Sequence, residues 1–250
     1  MIFDVVTMFP ELFDAFRTTG VLGRAVEQGS IGLDVHDLRD WADNPWRQLD
    51  DEPYGGGPGM VIQAPPVLAA VRALADREPA PHAVVLSPRG RVLDQGVVEE
   101  LASESRIVLV CGRYEGFDER VIEILEPDEI SIGDFILGGG EVAAMVVIEA
   151  VSRLIPGVVG DPGSVADDSF IAGLLDHPSY TRPVEVEGVE VPQVLRSGHH
   201  DKIARWRLER AVHATVTRRP DVIKKNWDRY PVEVRRLIRR YAPELDPERA

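Results

Sequence analysis

Apolar positions along the chain follow two rhythms. Short unbroken runs of Val, Ile and Leu alternate with longer stretches carrying an apolar residue every three or four positions. The first rhythm predicts buried strands and the second amphipathic helices. IFDVVTM (2–8) is a strand of the first kind, while PELFDAFRTTG (10–20), with proline in its first turn and glycine at its end, predicts a helix. VLGRAVEQG (21–29) predicts a second short helix, and IGLDVHDL (31–38) alternates as a half-buried strand does. After Pro65 and Pro66, VLAAVRALADRE (67–78) is helical in spacing.

Three later segments share one design: HAVVLSPRGR (82–91) is an apolar strand ending in Ser-Pro, RIVLVCGRYEG (106–116) an apolar strand ending in Gly-Arg, and DEISIGDFILGGG (128–140) a strand ending in Gly-Asp and a glycine run. DQGVVEELASES (94–105) and FDERVIEILE (117–126) separate them with helical spacing. This alternation predicts an α/β fold whose parallel sheet is covered on both faces. EVAAMVVIEAVSRLIPG (141–157) is apolar almost all round, which predicts a helix buried in a core or a subunit interface. VVGDPGSVADDSFIAG (158–173) is small, polar and rich in glycine, as a linker is. Residues 39–60 have no sustained period, and their two tryptophans and Tyr-Gly-Gly-Gly-Pro-Gly run favour a functional loop over a passive one.

In open parallel sheets ligands bind beyond the carboxyl ends of the strands. Loops at Ser87-Pro88, Gly112–Glu115 and Ile132–Gly140 can therefore converge on one pocket. The glycine turn SIGDFILGGGE (131–141) has no lysine, does not follow the first strand and matches neither dinucleotide nor phosphate-loop spacing. A neutral or cationic nucleoside read through backbone groups fits it better than a triphosphate. Spacing alone gives a pocket and no reaction.

Charge changes the picture at the carboxyl end. The net charge is −14, yet residues 196–250 hold 15 Lys+Arg against 8 Asp+Glu, a balance of +7. The same residues read as a polyanion-binding module or as well-solvated helices, and charge does not choose between them. The single cysteine, Cys111, excludes an intrachain disulfide and a cysteine-cluster metal site, and His199-His200 has no further ligand partners. With no signal-peptide pattern and no run long enough to span a membrane, a cytoplasmic protein without membrane association is expected.

Eight stretches carry a resemblance: DDEPYGGGPGM, LSPRGRVLDQ, LVCGRYEGFDERV, SIGDFILGGGE, VSRLIPGVVG, DDSFIAGLLDHPSYTRP, VPQVLRSGHH and RWRLERA. In these, and in their order, the chain resembles the bacterial tRNA (guanine-N1)-methyltransferase family up to about residue 210, and weakly after about residue 215. The resemblance implies methyl transfer from S-adenosylmethionine to N1 of the guanosine 3′ of the anticodon, position 37 of tRNA. It implies a parallel sheet with a deep trefoil knot over 1–160, a linker at 161–172 and a small basic helical tRNA-binding domain over 173–250. It also implies a homodimer whose active site lies between subunits. Cofactor-binding positions carried over are Leu86, Ser87, Pro88, Gly112, Tyr114, Glu115, Ile132, Gly133, Asp134, Phe135, Ile136, Leu137, Gly139 and Gly140. Phe135 and Gly138 depart from the tyrosine and serine common in the family, which removes side-chain hydroxyls and leaves backbone binding intact.

N1 of guanine carries a proton, so its methylation needs a base, together with a cation for charge moving to O6. The resemblance gives these roles to Asp168 and Arg153. Asp167 is the adjacent competitor; read by itself, Asp168 is a linker acid or helix cap, and Arg153 an ion-pair partner for Glu149 on one helix face. Glu115 either positions the Mg²⁺ used in the family or caps the following turn. The alternatives are a knotted ribose 2′-O-methyltransferase and a non-catalytic RNA-binding protein; both leave the acid of DDSF without a task.

Overall fold

In chain order the first unit, Met1–Gly160, holds β1 (Ile2–Thr7), α1 (Gly20–Glu27), β2 (Gly32–Asp37), the two-residue strands β3 (Asp50–Asp51) and β4 (Val61–Ile62), α2 (Ala64–Ala75), β5 (His82–Val92), α3 (Gln95–Ala102), β6 (Arg106–Val110), α4 (Arg120–Leu125), β7 (Asp128–Ser131) and α5 (Glu141–Ser152). The structure is a computed structural model that describes residues 1–160 and 168–249. The five longer strands form one sheet in the order β2-β1-β6-β5-β7, and every neighbouring pair is parallel. Side chains alternate across it. Phe3, Val5, Ile107 and Leu109 pack with α1, α3 and α5, whereas Val6, Val108 and Val110 pack with α2 and α4. Both faces are thus buried, which is why the central strands β5 and β6 carry continuous apolar runs.

Asp4 breaks that pattern in the middle of β1. It is fully buried between Arg106, whose Nε lies 2.6 Å away, and His36, whose Nε2 lies 2.8 Å away. Burial alone would raise its carboxyl, but the bonds from His36 and Arg106 outweigh that and hold it below the usual range.

Three local expectations are corrected. Residues 10–18 form two short 3₁₀ turns, Pro10–Phe13 and Phe16–Thr18, in place of a helix. Phe13 and Phe16 pack edge to face across the break, with ring centroids 6.2 Å apart, and the Thr18 hydroxyl donates back to the Asp14 and Ala15 carbonyls. Helix α2 begins at Ala64, so Pro65 and Pro66 lie in its first turn, where their missing N–H groups cost nothing. Strand β5 does not end at Ser87-Pro88. It continues to Val92, and both Leu86 and Arg91 pair with Ile130 of β7. The residues between them bulge out of the ladder, which accommodates a proline.

Helix α5 buries only part of its circumference. Ala143, Ala144, Val147, Ile148 and Val151 face the core, while Val142, Val146, Glu149 and Arg153 form an exposed stripe.

The second unit has its own core of Leu174, Val212, Ile223, Trp227, Tyr230, Val234 and Ile238. Its elements are a small hairpin, β8 (Glu185–Val186) and β9 (Val189–Glu190), and the helices α6 (His200–Arg218), α7 (Pro220–Asn226) and α8 (Val232–Tyr241). Some of its basic residues serve the core: Arg235 and Arg239 lie over the Trp227 ring, 6.0 and 5.7 Å from its centroid. Of the expected linker, residues 161–167 lie outside the described residues. Asp168 to Gly173 form a turn in which the Gly173 N–H donates to Phe170 at 3.0 Å.

Candidate active site

Strands β6, β5 and β7 are neighbours, so the loops leaving β6 and β7 and the bulge of β5 open on the same edge of the sheet. Together they line one cleft of about 510 Å³. Leu86, Ser87 and Pro88 supply one wall. Gly112, Tyr114 and Glu115 supply a second, and Ile132, Gly133, Phe135, Ile136, Leu137, Gly139 and Gly140 a third. Asp134 is exposed and does not line the cleft. Arg113 of the expected Gly112–Glu115 loop lines it too, as do Arg89, Glu119 and Glu129, which were not singled out in the sequence. Arg89 is paired with Glu119 at 2.9 Å, and one oxygen of Glu129 is buried without a hydrogen-bond partner.

The loops are stitched by their backbones. The Gly140 N–H donates to Gly112 at 2.8 Å, and Arg113 and Gly139 form a bridge. A Cβ on Gly140 would lie 2.9 Å from the Cα of Cys111, so this glycine is required by close passage of two chain segments. A Cβ on Gly112 would meet the Phe117 ring at 2.9 Å. Leu86, Ile136 and Leu137 give this cradle apolar surfaces beside its glycine backbone.

Behind the glycine turn lies a polar cluster. Glu141, the first residue of α5, is buried (1% exposed) and accepts from the Thr7 hydroxyl at 2.9 Å. Its other oxygen meets Nε of Arg113 at 2.9 Å, off the axis of a good hydrogen bond. The Arg113 guanidinium lies 4.5 Å from the Phe9 ring centroid and donates to the Gly138 carbonyl at 3.2 Å. Burial, and then the Glu141 carboxylate, push the Cys111 thiol well above its ordinary range, so it stays protonated and is no nucleophile.

Arg153, one of the two residues expected to do the chemistry, is not part of the cleft lining of its own unit. Arg153 is exposed just past the end of α5, whose other end is at Gly140; twelve residues of helix put about 18 Å between those ends. Asp168 is half-buried in the second unit. Among the described residues no group of three or more His, Cys, Asp or Glu could hold a metal ion. Likewise, no helix there is long and apolar enough to cross a membrane.

The profile of the family described as tRNA (Guanine-1)-methyltransferase TrmD matches residues 1–225. The tRNA (guanine-N(1)-)-methyltransferase of Rhodopirellula baltica is 51% identical over 243 residues, 95% of this chain and all of that protein. Those of Geobacter sulfurreducens (50% identical, 90% of this chain and 92% of the relative) and Frankia alni (53%, 88% and 84%) are similar over nearly the same extent. The chain belongs to the tRNA (Guanine-1)-methyltransferase family.

Proposed function

We propose that this member of the family transfers the methyl group of S-adenosylmethionine to N1 of the guanosine 3′ of the anticodon, position 37, in tRNA, as a cytoplasmic homodimer. The observation that carries the reading is the single cleft built by the β5 bulge and the two glycine loops. Its cradle suits the cofactor: backbone donors and acceptors for a nucleoside, apolar walls for its ring, and no lysine where a phosphate loop would need one. Leu86 to Pro88, Gly112 to Glu115, Ile132, Gly133 and Phe135 to Gly140 would hold it. When bound, S-adenosylmethionine supplies an electrophilic methyl group on a sulfonium.

Asp168 takes the N1 proton of the target guanine, and Arg153 stabilises the charge that develops on O6. The helix length between Arg153 and the cleft of its own chain supports a site completed by a second subunit. The exposed stripe of α5 supports the same arrangement, since Val142 and Val146 are 56% and 42% exposed at the cleft end. A trefoil knot is part of this reading, supported by the passage of Gly140 against Cys111. The basic second unit binds the RNA, with phosphate contacts from α6 to α8. Glu115 is exposed and offers one carboxylate, which suits a Mg²⁺ otherwise held by water and RNA phosphate.

The test is single-turnover methylation of a tRNA transcript with analysis of the modified nucleoside. The expected product is 1-methylguanosine at one position. A 2′-O-methylated ribose, or no product in a protein that binds RNA, would replace this reading with a sister methyltransferase or a binding protein. Asp168→Asn is expected to slow transfer by roughly 10²–10⁴-fold while calorimetry shows the cofactor still bound. Equal rates for the two proteins would remove Asp168 from the mechanism.

A further inference from the structure

We infer that Glu141 is a positioning residue for the cofactor, acting through Arg113 on the glycine turn. The inference rests on the reading of the cleft as an S-adenosylmethionine site. Glu141 itself does not line the cleft; Arg113 and Gly138 do. A connected path runs between them. The Thr7 hydroxyl, at the end of β1, donates to one oxygen of Glu141 and accepts from the Phe9 N–H at 3.0 Å. The other oxygen faces Nε of Arg113 at 2.9 Å. From there the guanidinium reaches the Gly138 carbonyl at 3.2 Å, with the Phe9 ring beneath it.

A buried carboxylate is costly unless something compensates it. Here compensation comes from a cation that also ties down the turn, and from the first turn of α5, whose backbone dipole favours negative charge. The Gly139 Cα packs against both Arg113 and Glu141 with no room for a side chain, so the turn is fitted to this pair. Occupying the Gly138 carbonyl from behind fixes one peptide group of a turn whose residues Ile136 to Gly140 line the cleft. Without the carboxylate the guanidinium would swing free into the cleft that it lines. The turn would then have to be ordered by the ligand, at the ligand's expense in affinity. A lysine at position 113 keeps the charge but lacks the planar fork that spans carboxylate and carbonyl together.

The experiment measures S-adenosylmethionine affinity by calorimetry in the full chain for wild type, Glu141→Gln, Arg113→Gln and the double variant, with ligand-free melting curves as a folding control. Michaelis constants for cofactor and tRNA are measured separately. We expect each single variant to lose about tenfold or more in cofactor affinity, the scale of groups that orient ligand-contacting residues. The KM for tRNA should stay near wild type, and the double variant should be no worse than the poorer single one. Arg113→Lys should fail to restore affinity. Unchanged affinity in a folded Glu141→Gln protein would overturn the inference, as would losses that multiply in the double variant. Should Glu141→Gln not fold, the partly exposed Arg113→Gln decides alone: wild-type affinity there would equally overturn it. A wild-type chain that bound no S-adenosylmethionine would instead refute the reading of the cleft, before any variant is compared.

Discussion

Two segments of the first unit are rich in glycine, and they are glycine-rich for different reasons. In the loop at 53–60, Gly55, Gly56 and Gly57 have φ of +90°, +77° and +131°, and a Cβ on any of them would meet nothing within 4 Å. In the turn before α5, Gly140 has an ordinary φ of −78°, but a Cβ there would lie 2.9 Å from the Cys111 backbone. At these positions the loop needs glycine for its torsion angles and the turn needs it for room. A sequence prints both as runs of G. Only the second kind makes the chain approach itself closely, and that approach builds the cleft.

Substitutions separate the two kinds. The largest effect is expected at Gly140. Gly140→Ala forces apart two backbone segments that cannot yield cheaply, and should cost about 2–3 kcal/mol in thermal or denaturant unfolding. Cofactor affinity should fall with it, because the Gly140 N–H to Gly112 bond would lengthen. At Gly56 the penalty is conformational alone. Gly56→Ala should cost about 1–2 kcal/mol, and Gly56→Asn less, since asparagine tolerates the left-handed region. Cofactor affinity, read by calorimetry, should stay at the wild-type value in both. Gly138 is the smallest case. Its Cβ would have 4.0 Å to the nearest atom of Arg113, so Gly138→Ser should change stability by no more than about 0.5 kcal/mol. Were Gly56→Ala to prove costlier than Gly140→Ala, crowding would not be what fixes the turn.

The same contrast marks what was legible in the chain. Strands β5 and β6 were readable because residues buried on both faces leave unbroken apolar runs, and the loops after β5, β6 and β7 were readable because glycine followed each strand or lay near it. The continuation of β5 through Pro88 was not readable. Proline and glycine spell a turn locally, and only the pairing of Leu86 and Arg91 with one residue of β7 makes them a bulge. Residues 10–18 looked helical because proline opens the segment and glycine closes it, but they form two 3₁₀ turns with Phe13 and Phe16 packed edge to face. Most of the cleft positions came from family resemblance and lie together in space, with Asp134 left outside the wall. Glu141 was passed over for a simple reason. An acid in the first turn of a helix is expected for its dipole, and nothing in GGGE says that this one is buried against an arginine 28 residues earlier. Asp4 was equally opaque, because its partners come from strands that only the folded sheet brings beside it.

The place of β1 between β2 and β6 has a consequence in time. Synthesis delivers about 5–20 residues per second. Arg106 stands 102 residues beyond Asp4. About 5–20 s therefore pass between the emergence of the acid and the arrival of the arginine that bonds it at 2.6 Å. Throughout that interval β2 is the only sheet neighbour β1 can have, and a strand buried on both sides in the finished protein is an open edge on the nascent chain. A slow stretch of translation after β2 would lengthen that exposure, and a fast one would shorten it.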